Sequence, residues 1–290
     1  MTLKGTYTAI VTPFNKDGSI DYGRFRALID EQVEAGIEGI VPVGSTGESP
    51  TLTYSEHIDV IRAGVEYAAG RMQVIAGTGA NSTAEAISLT KNVLDLGVAA
   101  TLQVSPYYNK PNAEGMYRHF AAVADLGLPV VLYNVPGRSG KEIPLDTVVR
   151  LAKHPNVVAI KEAAGSVDRV SAIRNACDLT VLSGDDSLAV PMMSVGANGL
   201  ISVASNVAPA DVGDMVRAAL AGNFARASML HARYYPLFRD LFIDTNPVPV
   251  KVLLAMMGRI EEVFRLPLCE PTPEIRERIR ATAAKLGLVK

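Results

Sequence analysis

The lysine at position 161 closes one of the most apolar runs in the chain, Val157-Val158-Ala159-Ile160. A strand that ends there would hold the amine in a poorly solvated place, on the same face as Val157 and Ala159. Burial of a lysine disfavours the ammonium and lowers its pKa, which turns the amine into a nucleophile for carbonyl carbon. Position alone leaves open an ion pair of Lys161 with Glu162 or Asp186, or a side chain that extends to solvent.

Hydroxyl groups stand where three other apolar runs end. Tyr133 closes one run, Tyr107 and Tyr108 follow a second, and Ser45 and Thr46 follow a third. Imine chemistry moves a proton at each stage, and a tyrosine bonded to a serine or threonine hydroxyl can relay it without a metal or a histidine. One tyrosine at a strand end is usually a packing residue, but several polar groups around one lysine favour Schiff-base catalysis.

The segment Gly44-Ser45-Thr46-Gly47 suits an anion. Its small residues leave backbone N–H groups open, and a helix that starts just after it would favour negative charge. A substrate carboxylate fits this description, and an ordinary turn that requires glycine is the alternative. Phosphate is disfavoured because the chain lacks a G-K-[ST] motif and Gly77-Thr78-Gly79 lacks a third glycine.

The positions of the histidines disfavour metal chemistry. All four fall in helix candidates or at their ends, without H-x-x-x-H spacing: His57, His119, His154 and His231. A zinc-dependent aldolase needs several such ligands at one site. Asp185-Asp186 has no third carboxylate nearby in sequence, so a structural role is favoured over Mg²⁺. We therefore expect no metal, and no cofactor beyond a covalent intermediate on Lys161.

These candidates lie at the ends of eight short, mostly β-branched runs that alternate with amphipathic stretches. The predicted strands cover 7–11, 39–43, 72–76, 99–104, 129–133, 157–161, 179–183 and 199–203. Continuous apolar runs are typical of parallel strands buried on both faces. Eight such units favour a (β/α)8 TIM barrel over a doubly wound sheet, and the first strand is followed by Val11-Thr12-Pro13-Phe14 instead of G-x-G-x-x-G. Catalytic side chains of such barrels lie at the carboxyl ends of the strands.

Helix candidates connect the strands and then continue alone to the end of the chain. They cover 21–35, 55–69, 83–96, 113–125 and 145–153, and then 225–242, 249–257 and 273–286. Ser82 with Glu85 fits a capping box, and Thr272-Pro273 gives the last helix a cap with proline at its first position. We expect an α/β fold with a barrel and active site over 1–220 and a C-terminal helical appendage over 221–290, packed on the barrel.

The composition is that of a globular chain of 290 residues, with 48% hydrophobic and 20% charged residues. The net charge of −2 provides no basic surface for nucleic acid. Cys177 and Cys269 are too few for a disulfide scaffold and fit a reducing compartment. The N-terminus has no apolar leader, and no apolar run approaches ~18 residues. We expect a soluble, cytoplasmic protein without a membrane partner.

Five motifs in combination resemble the dihydrodipicolinate synthase and N-acetylneuraminate lyase superfamily, essentially from end to end. They are Ala9-Ile10-Val11-Thr12-Pro13-Phe14, Gly44-Ser45-Thr46-Gly47-Glu48, Val74-Ile75-Ala76-Gly77-Thr78-Gly79, Tyr133-Asn134-Val135-Pro136 and Ile160-Lys161-Glu162. Three further segments resemble the synthase branch: Pro106-Tyr107-Tyr108-Asn109-Lys110-Pro111, Gly137-Arg138-Ser139-Gly140 and Ser183-Gly184-Asp185-Asp186. The resemblance implies condensation of pyruvate with L-aspartate 4-semialdehyde, on the diaminopimelate route to lysine.

The resemblance also implies a role for each site residue. Lys161 would form the Schiff base with pyruvate, and Tyr133 would transfer protons above the imine. Tyr108 would complete the relay from a neighbouring subunit, with Ser45 between the tyrosines. The substrate-binding residues would be Thr46 for the pyruvate carboxylate, Arg138 for the semialdehyde carboxylate and Ile201 through its backbone. Synthases typically have threonine at position 45; serine keeps the hydroxyl but constrains its rotamer less.

Assembly and regulation are implied in the same way. The family suggests a homo-oligomer that is a dimer of dimers, with L-lysine bound as an inhibitor at the dimer interface. The residues that match this lysine site are Ser49, His57, Asn81, Glu85 and Tyr107. Pro50 and Tyr54 differ from the residues usual in lysine-sensitive relatives. Helix capping by Ser49, Asn81 and Glu85 is the alternative.

Two rival functions remain open at this point. The first is a pyruvate-forming lyase or aldolase of sialic acid or 2-keto-3-deoxy sugar acids, against which Arg138 argues because the sialic acid lyases lack it. The second is a catalytically silent barrel that binds a metabolite. The presence of Lys161, Tyr133 and Tyr108 together argues against it, since a silent barrel does not need all three.

Overall fold

Eight parallel strands form a closed barrel in the order of the chain, with the last strand paired to the first. The computed structural model describes residues 3–289. Met1, Thr2 and Lys290 lie outside that range, and the first two belong to the N-terminal segment that is expected to lack an apolar leader. The strands are β1 (Gly5–Thr8), β2 (Gly39–Ile40), β3 (Gln73–Gly77), β4 (Ala100–Val104), β5 (Val130–Asn134), β6 (Val157–Glu162), β7 (Thr180–Ser183) and β8 (Gly199–Ser202). The predicted (β/α)8 TIM barrel is confirmed.

The strands bury both faces, which explains their continuous apolar sequences. In β7, Val181 belongs to the cluster between strands and helices, whereas Leu182 belongs to the cluster inside the barrel. In β6, Ile160 packs outward and Ala159 packs inward. Because side chains alternate along a strand, Lys161 shares the inward face with Ala159.

Helices surround the barrel and follow the predicted pattern closely. They are α1 (Tyr22–Glu34), α2 (Tyr54–Ala68), α3 (Thr83–Lys91), α4 (Ala113–Ala124), α5 (Pro136–Ser139), α6 (Leu145–Leu151), α7 (Val167–Ala176), α8 (Ala189–Ser194), α9 (Pro209–Leu220), α10 (Phe224–Asp240), α11 (Val248–Met256) and α12 (Pro273–Lys285).

The helix starts confirm one predicted cap and contradict the other. The Thr272 hydroxyl accepts from the Ile275 amide with Pro273 in the first turn, as predicted. The capping box at Ser82 is wrong, since the Ser82 side chain makes no capping hydrogen bond. A capping box is found instead at α2, where Thr53 and Glu56 satisfy each other's backbone N–H groups.

The C-terminal helices pack on the barrel layer through α8 and α9, which contact α10. Helix α12 is fixed to α10 because the buried Asp240 carboxylate accepts from Arg278 Nε at 2.9 Å and from Thr282 Oγ1 at 2.6 Å. The division at residue 220 stays a prediction. In the range 3–289, no helix has the length and apolarity that a membrane span requires.

Candidate active site

A cavity of about 270 Å³ lies at the carboxyl ends of the strands, where a barrel of this kind holds its active site. Five of the predicted site residues line it together: Ser45, Thr46, Tyr133, Arg138 and Lys161. Their convergence from three strand ends fits the expectation of polar groups gathered around one lysine. The C-terminal helical region adds Phe238, Arg239, Phe242 and Asn246 to the wall.

Lys161 is buried, with 6% of its surface exposed, and its amine faces Tyr133. The two residues are paired in register on β5 and β6, and Lys161 Nζ lies 4.2 Å from the centroid of the Tyr133 ring. Gly184 leaves room beside them, because a Cβ at this position would lie 2.8 Å from Ala163 Cβ and 2.9 Å from Lys161 Cε. No carboxylate of residues 3–289 forms a salt bridge with Lys161, so the ion-pair alternative is wrong.

Glu162, one of the two carboxylates considered as a partner for Lys161, serves the opposite face of β6. Its carboxylate accepts from Asn134 Nδ2 at 2.9 and 3.0 Å and from Arg169 Nε at 2.9 Å. Burial raises the pKa of Glu162, and the charge of Arg169 opposes that shift. This network joins the ends of β5 and β6, which fixes Tyr133 beside Lys161.

Asp186, the other carboxylate, holds the turn after β8. Its side chain accepts from the Ser202 hydroxyl and from the amides of Val203 and Ala204, the latter two at 3.0 and 3.2 Å. Burial raises the pKa of Asp186 to about 6, against the effect of these hydrogen bonds. The structural role that the sequence favoured for Asp186 fits these contacts.

The loop after β2 carries Ser45 and Thr46 between two backbone positions of positive φ. Val43 has φ of 56°, and Glu48 has φ of 56°. Such a conformation is costly for a branched or long side chain and persists only where the surroundings hold it. Gly47 is required here, because a Cβ would lie 2.9 Å from the Val43 amide nitrogen.

Hydrogen bonds reach this loop and the Arg138 turn from Asn246, just before α11. Asn246 Nδ2 donates to Thr46 Oγ1 at 2.9 Å, and the Asn246 carbonyl accepts from Arg138 Nη2 at 2.9 Å. Arg138 lies at the exposed rim of the cavity in the short helix α5. Its remaining N–H groups are suited to a carboxylate, because a guanidinium binds carboxylates through paired donors.

Two predicted residues lie outside the cavity of this single chain. Tyr108 is 90% exposed and has φ of 71°, on a loop that projects from the strand end. Ile201 is buried inside the barrel, paired in register with Tyr7, beneath the cavity wall that Val203 forms. The cavity therefore holds Lys161 and Tyr133 but not the second tyrosine of the implied relay.

The five residues matched to a lysine site fall into two groups. Asn81 Nδ2 donates to the Tyr107 carbonyl at 3.3 Å, and burial together with the charge of Glu85 raises the pKa of Tyr107. Ser49 lines a second cavity of about 270 Å³ with Tyr107. His57 is instead buried in α2, where Nε2 lies 2.7 Å from the Gly77 carbonyl and burial lowers its pKa. Because a carbonyl oxygen can only accept, Nε2 is the donor in this contact.

Sequence reasoning missed the residues that arrive from the C-terminal region. Asn246, Phe238, Arg239 and Phe242 line the cavity although no motif singled them out. Asn246 stands 200 residues from its partner Thr46, and an apolar helix pattern contains no signal for such a contact. Among residues 3–289, no group of three or more His, Cys, Asp or Glu side chains is arranged to hold a metal ion.

The fold and the cavity define a class, the (β/α)8 barrel enzymes of the Schiff-base aldolase type. The chain belongs to the dihydrodipicolinate synthetase family, whose model matches residues 2–286. A 4-hydroxy-tetrahydrodipicolinate synthase of Persephonella marina is 49% identical over 292 residues, which cover 99% of this chain and 99% of that protein.

Two solved structures resemble the chain over nearly its whole length. The chloride-inhibited dihydrodipicolinate synthase of Acinetobacter baumannii, complexed with pyruvate, matches with a TM-score of 0.97 and 44% identity, covering 99% of this chain and 100% of that chain. The enzyme of Cyanidioschyzon merolae with lysine bound matches with a TM-score of 0.95 and 41% identity, covering 99% of each chain.

Proposed function

We propose that this protein condenses pyruvate with L-aspartate 4-semialdehyde as a 4-hydroxy-tetrahydrodipicolinate synthase. The observation that carries the proposal is the amine of Lys161, buried without a counter-ion and 4.2 Å from the ring centroid of Tyr133. Arg138 at the cavity rim supports a second substrate that bears a carboxylate. The membership of the family and the pyruvate complex of the Acinetobacter baumannii relative agree with this choice.

The reaction follows from the chemistry of a free lysine amine. The amine of Lys161 attacks C2 of pyruvate, and the carbinolamine loses water to give an imine. Loss of a proton from C3 gives an enamine, whose C3 attacks the aldehyde carbon of the semialdehyde and forms the new C–C bond. The amino group of the former semialdehyde then attacks the imine carbon and releases Lys161. One water leaves overall, and no external cofactor takes part.

Proton transfers in this sequence are assigned to hydroxyl groups. Tyr133 accepts and donates protons at the imine, Ser45 bridges the relay, and Tyr108 of a neighbouring subunit connects it to solvent. The carboxylate of pyruvate binds the backbone and hydroxyl of Thr46, with the backbone at Ile201 as a further contact. The carboxylate of the semialdehyde binds Arg138.

A trapping experiment tests the core of this proposal. Borohydride treatment in the presence of pyruvate should add a reduced pyruvyl group to Lys161, located by digestion and mass spectrometry. A label on another lysine, or none, would contradict the mechanism. A coupled assay with pyruvate and the semialdehyde, run beside a sialic acid cleavage assay, separates the synthase from the lyase, and turnover in the second assay alone would reject the synthase.

Assembly forms part of the proposal, because Tyr108 is needed at the relay and is 90% exposed in one chain. We expect a cytoplasmic homotetramer that is a dimer of dimers, with isologous contacts between subunits that exchange Tyr108. Mixing two inactive variants, Tyr108→Phe and Lys161→Ala, should restore part of the activity. No recovery after verified subunit exchange would show that Tyr108 does not act across the interface.

Inhibition by L-lysine is proposed for the group Ser49, His57, Asn81, Glu85 and Tyr107. The proximity of Glu85 to Tyr107 supports it, since a carboxylate suits an ammonium and the amide of Asn81 suits a carboxylate. The lysine-bound relative from Cyanidioschyzon merolae supports the choice of ligand. Lysine titrated to millimolar concentration should lower the initial rate, and Glu85→Ala should relieve it; a flat response in the wild type would end the proposal.

A further inference from the structure

A second buried lysine forms an ion pair that the mechanism above does not use. Lys251 on α11 contacts the carboxylate of Glu48, and both side chains have 0% of their surface exposed. Glu48 ends the loop that carries Ser45 and Thr46, and 203 residues separate it from Lys251 along the chain. The pair therefore joins the C-terminal helical region to the loop proposed to bind the carboxylate of pyruvate.

Aromatic rings enclose the pair on the side of Lys251. Its amine lies 4.3 Å from the ring centroid of Phe14 and 5.3 Å from that of Phe264. Arg265 covers the Phe14 ring, with its guanidinium carbon 4.4 Å from the centroid. Burial lowers the pKa of Lys251, and the charge of Glu48 opposes that shift. Both groups are thus removed from water and depend on each other.

A buried ion pair of this kind contributes little to the free energy of unfolding. The second carboxylate oxygen of Glu48, Oε2, has no hydrogen-bond partner within residues 3–289. Removing two charges from water costs free energy that their attraction often fails to recover, and apolar replacements of buried pairs are frequently neutral or stabilising. The contact is better explained by what it fixes in place.

What it fixes is a strained backbone. Glu48 has φ of 56° and ψ of 37°, and Val43 at the other end of the loop also has a positive φ. The loop interior is held by the Gly47 amide, which donates to the Gly44 carbonyl at 3.1 Å, and by the Thr12 hydroxyl, which donates to the Gly47 carbonyl at 2.7 Å. The Glu48 side chain is a further anchor beside the bond from Asn246 to Thr46, and Lys251 is its only side-chain partner in the described chain.

We propose that Lys251 is a positioning residue for pyruvate: through Glu48 it holds the loop at the geometry in which Thr46 and its backbone bind the pyruvate carboxylate. The inference rests on the proposed function. Asn246, five residues before Lys251, supports it independently, because Asn246 bonds Thr46 Oγ1 and Arg138. The segment 246–251 thus contacts the proposed binding residues of both substrates.

The test separates positioning from stability by neutralising both partners. Lys251→Met alone leaves an unpaired buried carboxylate and should lower the unfolding temperature. The double variant Glu48→Gln/Lys251→Met removes both charges and should regain most of that loss. Its pyruvate concentration for half-maximal borohydride trapping at Lys161 should nevertheless rise about tenfold. The KM for the semialdehyde, measured at saturating pyruvate, should change less than about threefold, because neither Glu48 nor Lys251 contacts Arg138.

Three outcomes decide the matter. A double variant whose half-maximal pyruvate concentration returns to the wild-type value together with its unfolding temperature would assign the pair to stability and overturn the inference. If the double variant does not fold, Glu48→Asp keeps the charge and shortens the link by one methylene, and an unchanged pyruvate dependence in that variant would equally reject positioning. Absence of any label in the wild type would instead reject the proposed function.

A matched control uses an ion pair in the same C-terminal region. Arg278→Met removes the ion pair between α12 and Asp240 of α10 and leaves the hydrogen bond from Thr282 to the same carboxylate. This variant should lower the unfolding temperature without raising the pyruvate concentration needed for trapping. A rise equal to that of the double variant would mean that any loosening of the C-terminal helices disturbs the site, which contradicts a specific role for Lys251.

Discussion

The end of β6 and the middle of α11 each bury a lysine against an aromatic ring, yet the two amines have opposite surroundings. Lys161 faces the ring of Tyr133 and has no carboxylate partner in the described residues, whereas Lys251 faces Phe14 and pairs with Glu48. Lys161 opens into a cavity, and Lys251 is fully enclosed. The amine of Lys251 is occupied by its contact with Glu48, while the amine of Lys161 is left available to a carbonyl group bound in the cavity.

The strongest way to break this comparison is to remove the reactive amine. Lys161→Arg should reduce kcat by about 10³-fold or more, because a guanidinium stays protonated and cannot form the imine. Steady-state assay with both substrates and borohydride trapping measure this loss. Activity within about tenfold of the wild type would show that a different group is the nucleophile.

A smaller loss of kcat should follow when the tyrosine that faces Lys161 is replaced by phenylalanine, the residue type that faces Lys251. Tyr133→Phe keeps the aromatic face but removes the hydroxyl, and we expect kcat to fall by about 10²–10⁴-fold. Rapid-quench trapping should still label Lys161, more slowly. Tyr54→Phe is the control, since its exposed hydroxyl bonds Ser88 away from the cavity. Equal rates for the wild type and Tyr133→Phe would remove Tyr133 from the relay.

For the free energy of unfolding we expect the reverse order, with a larger loss when Lys251 is replaced than when Lys161 is replaced. Lys251→Met should lower the free energy of unfolding by about 3–5 kcal/mol, because it leaves Glu48 buried and unpaired. Lys161→Met leaves no carboxylate unpaired and should change that free energy by less than about 1 kcal/mol. Urea titrations of both variants make the comparison, and similar losses for the two would refute it.

His119 extends the comparison to a buried base that stays neutral. Burial lowers its pKa from 6.5 to about 4, and its only hydrogen bond within residues 3–289 joins Nδ1 to Thr83 Oγ1 at 2.9 Å. Between pH 6.5 and 4 the unfolded chain takes up a proton that the folded chain refuses, so stability falls as the pH falls, by up to about 2–3 kcal/mol. Urea unfolding at pH 7 and pH 4.5 should show a smaller loss for His119→Asn than for the wild type. Parallel losses would mean that His119 titrates normally.

Much of the barrel could be predicted because its signals are local. Apolar runs such as Val157-Val158-Ala159-Ile160 must be buried on both faces, and a lysine or tyrosine at the end of such a run must face the cavity or the helices. The same reasoning extended α3 too far: apolar residues up to Leu96 keep the helical spacing, but the helix ends at Lys91 and the chain continues in turns.

The C-terminal contribution to the site could not be predicted for a physical reason. Asn246 and Lys251 act through contacts with Thr46 and Glu48, and no property of the intervening sequence specifies those pairs. Lys251 in an apolar helix pattern suggests only an exposed or edge position, since lysines are rarely buried fully. The contact becomes intelligible once a partner carboxylate is located.

The distance along the chain between Glu48 and Lys251 also determines when the site is completed during synthesis. The eight strands end at Ser202 and leave the ribosome first, so the barrel has all its strands while the counter-ion of Glu48 has not yet been made. Until α11 emerges, the loop that carries Thr46 lacks its outer anchors. The order of the chain therefore places the synthesis of all eight strands before that of Asn246 and Lys251, the residues that anchor this loop from outside.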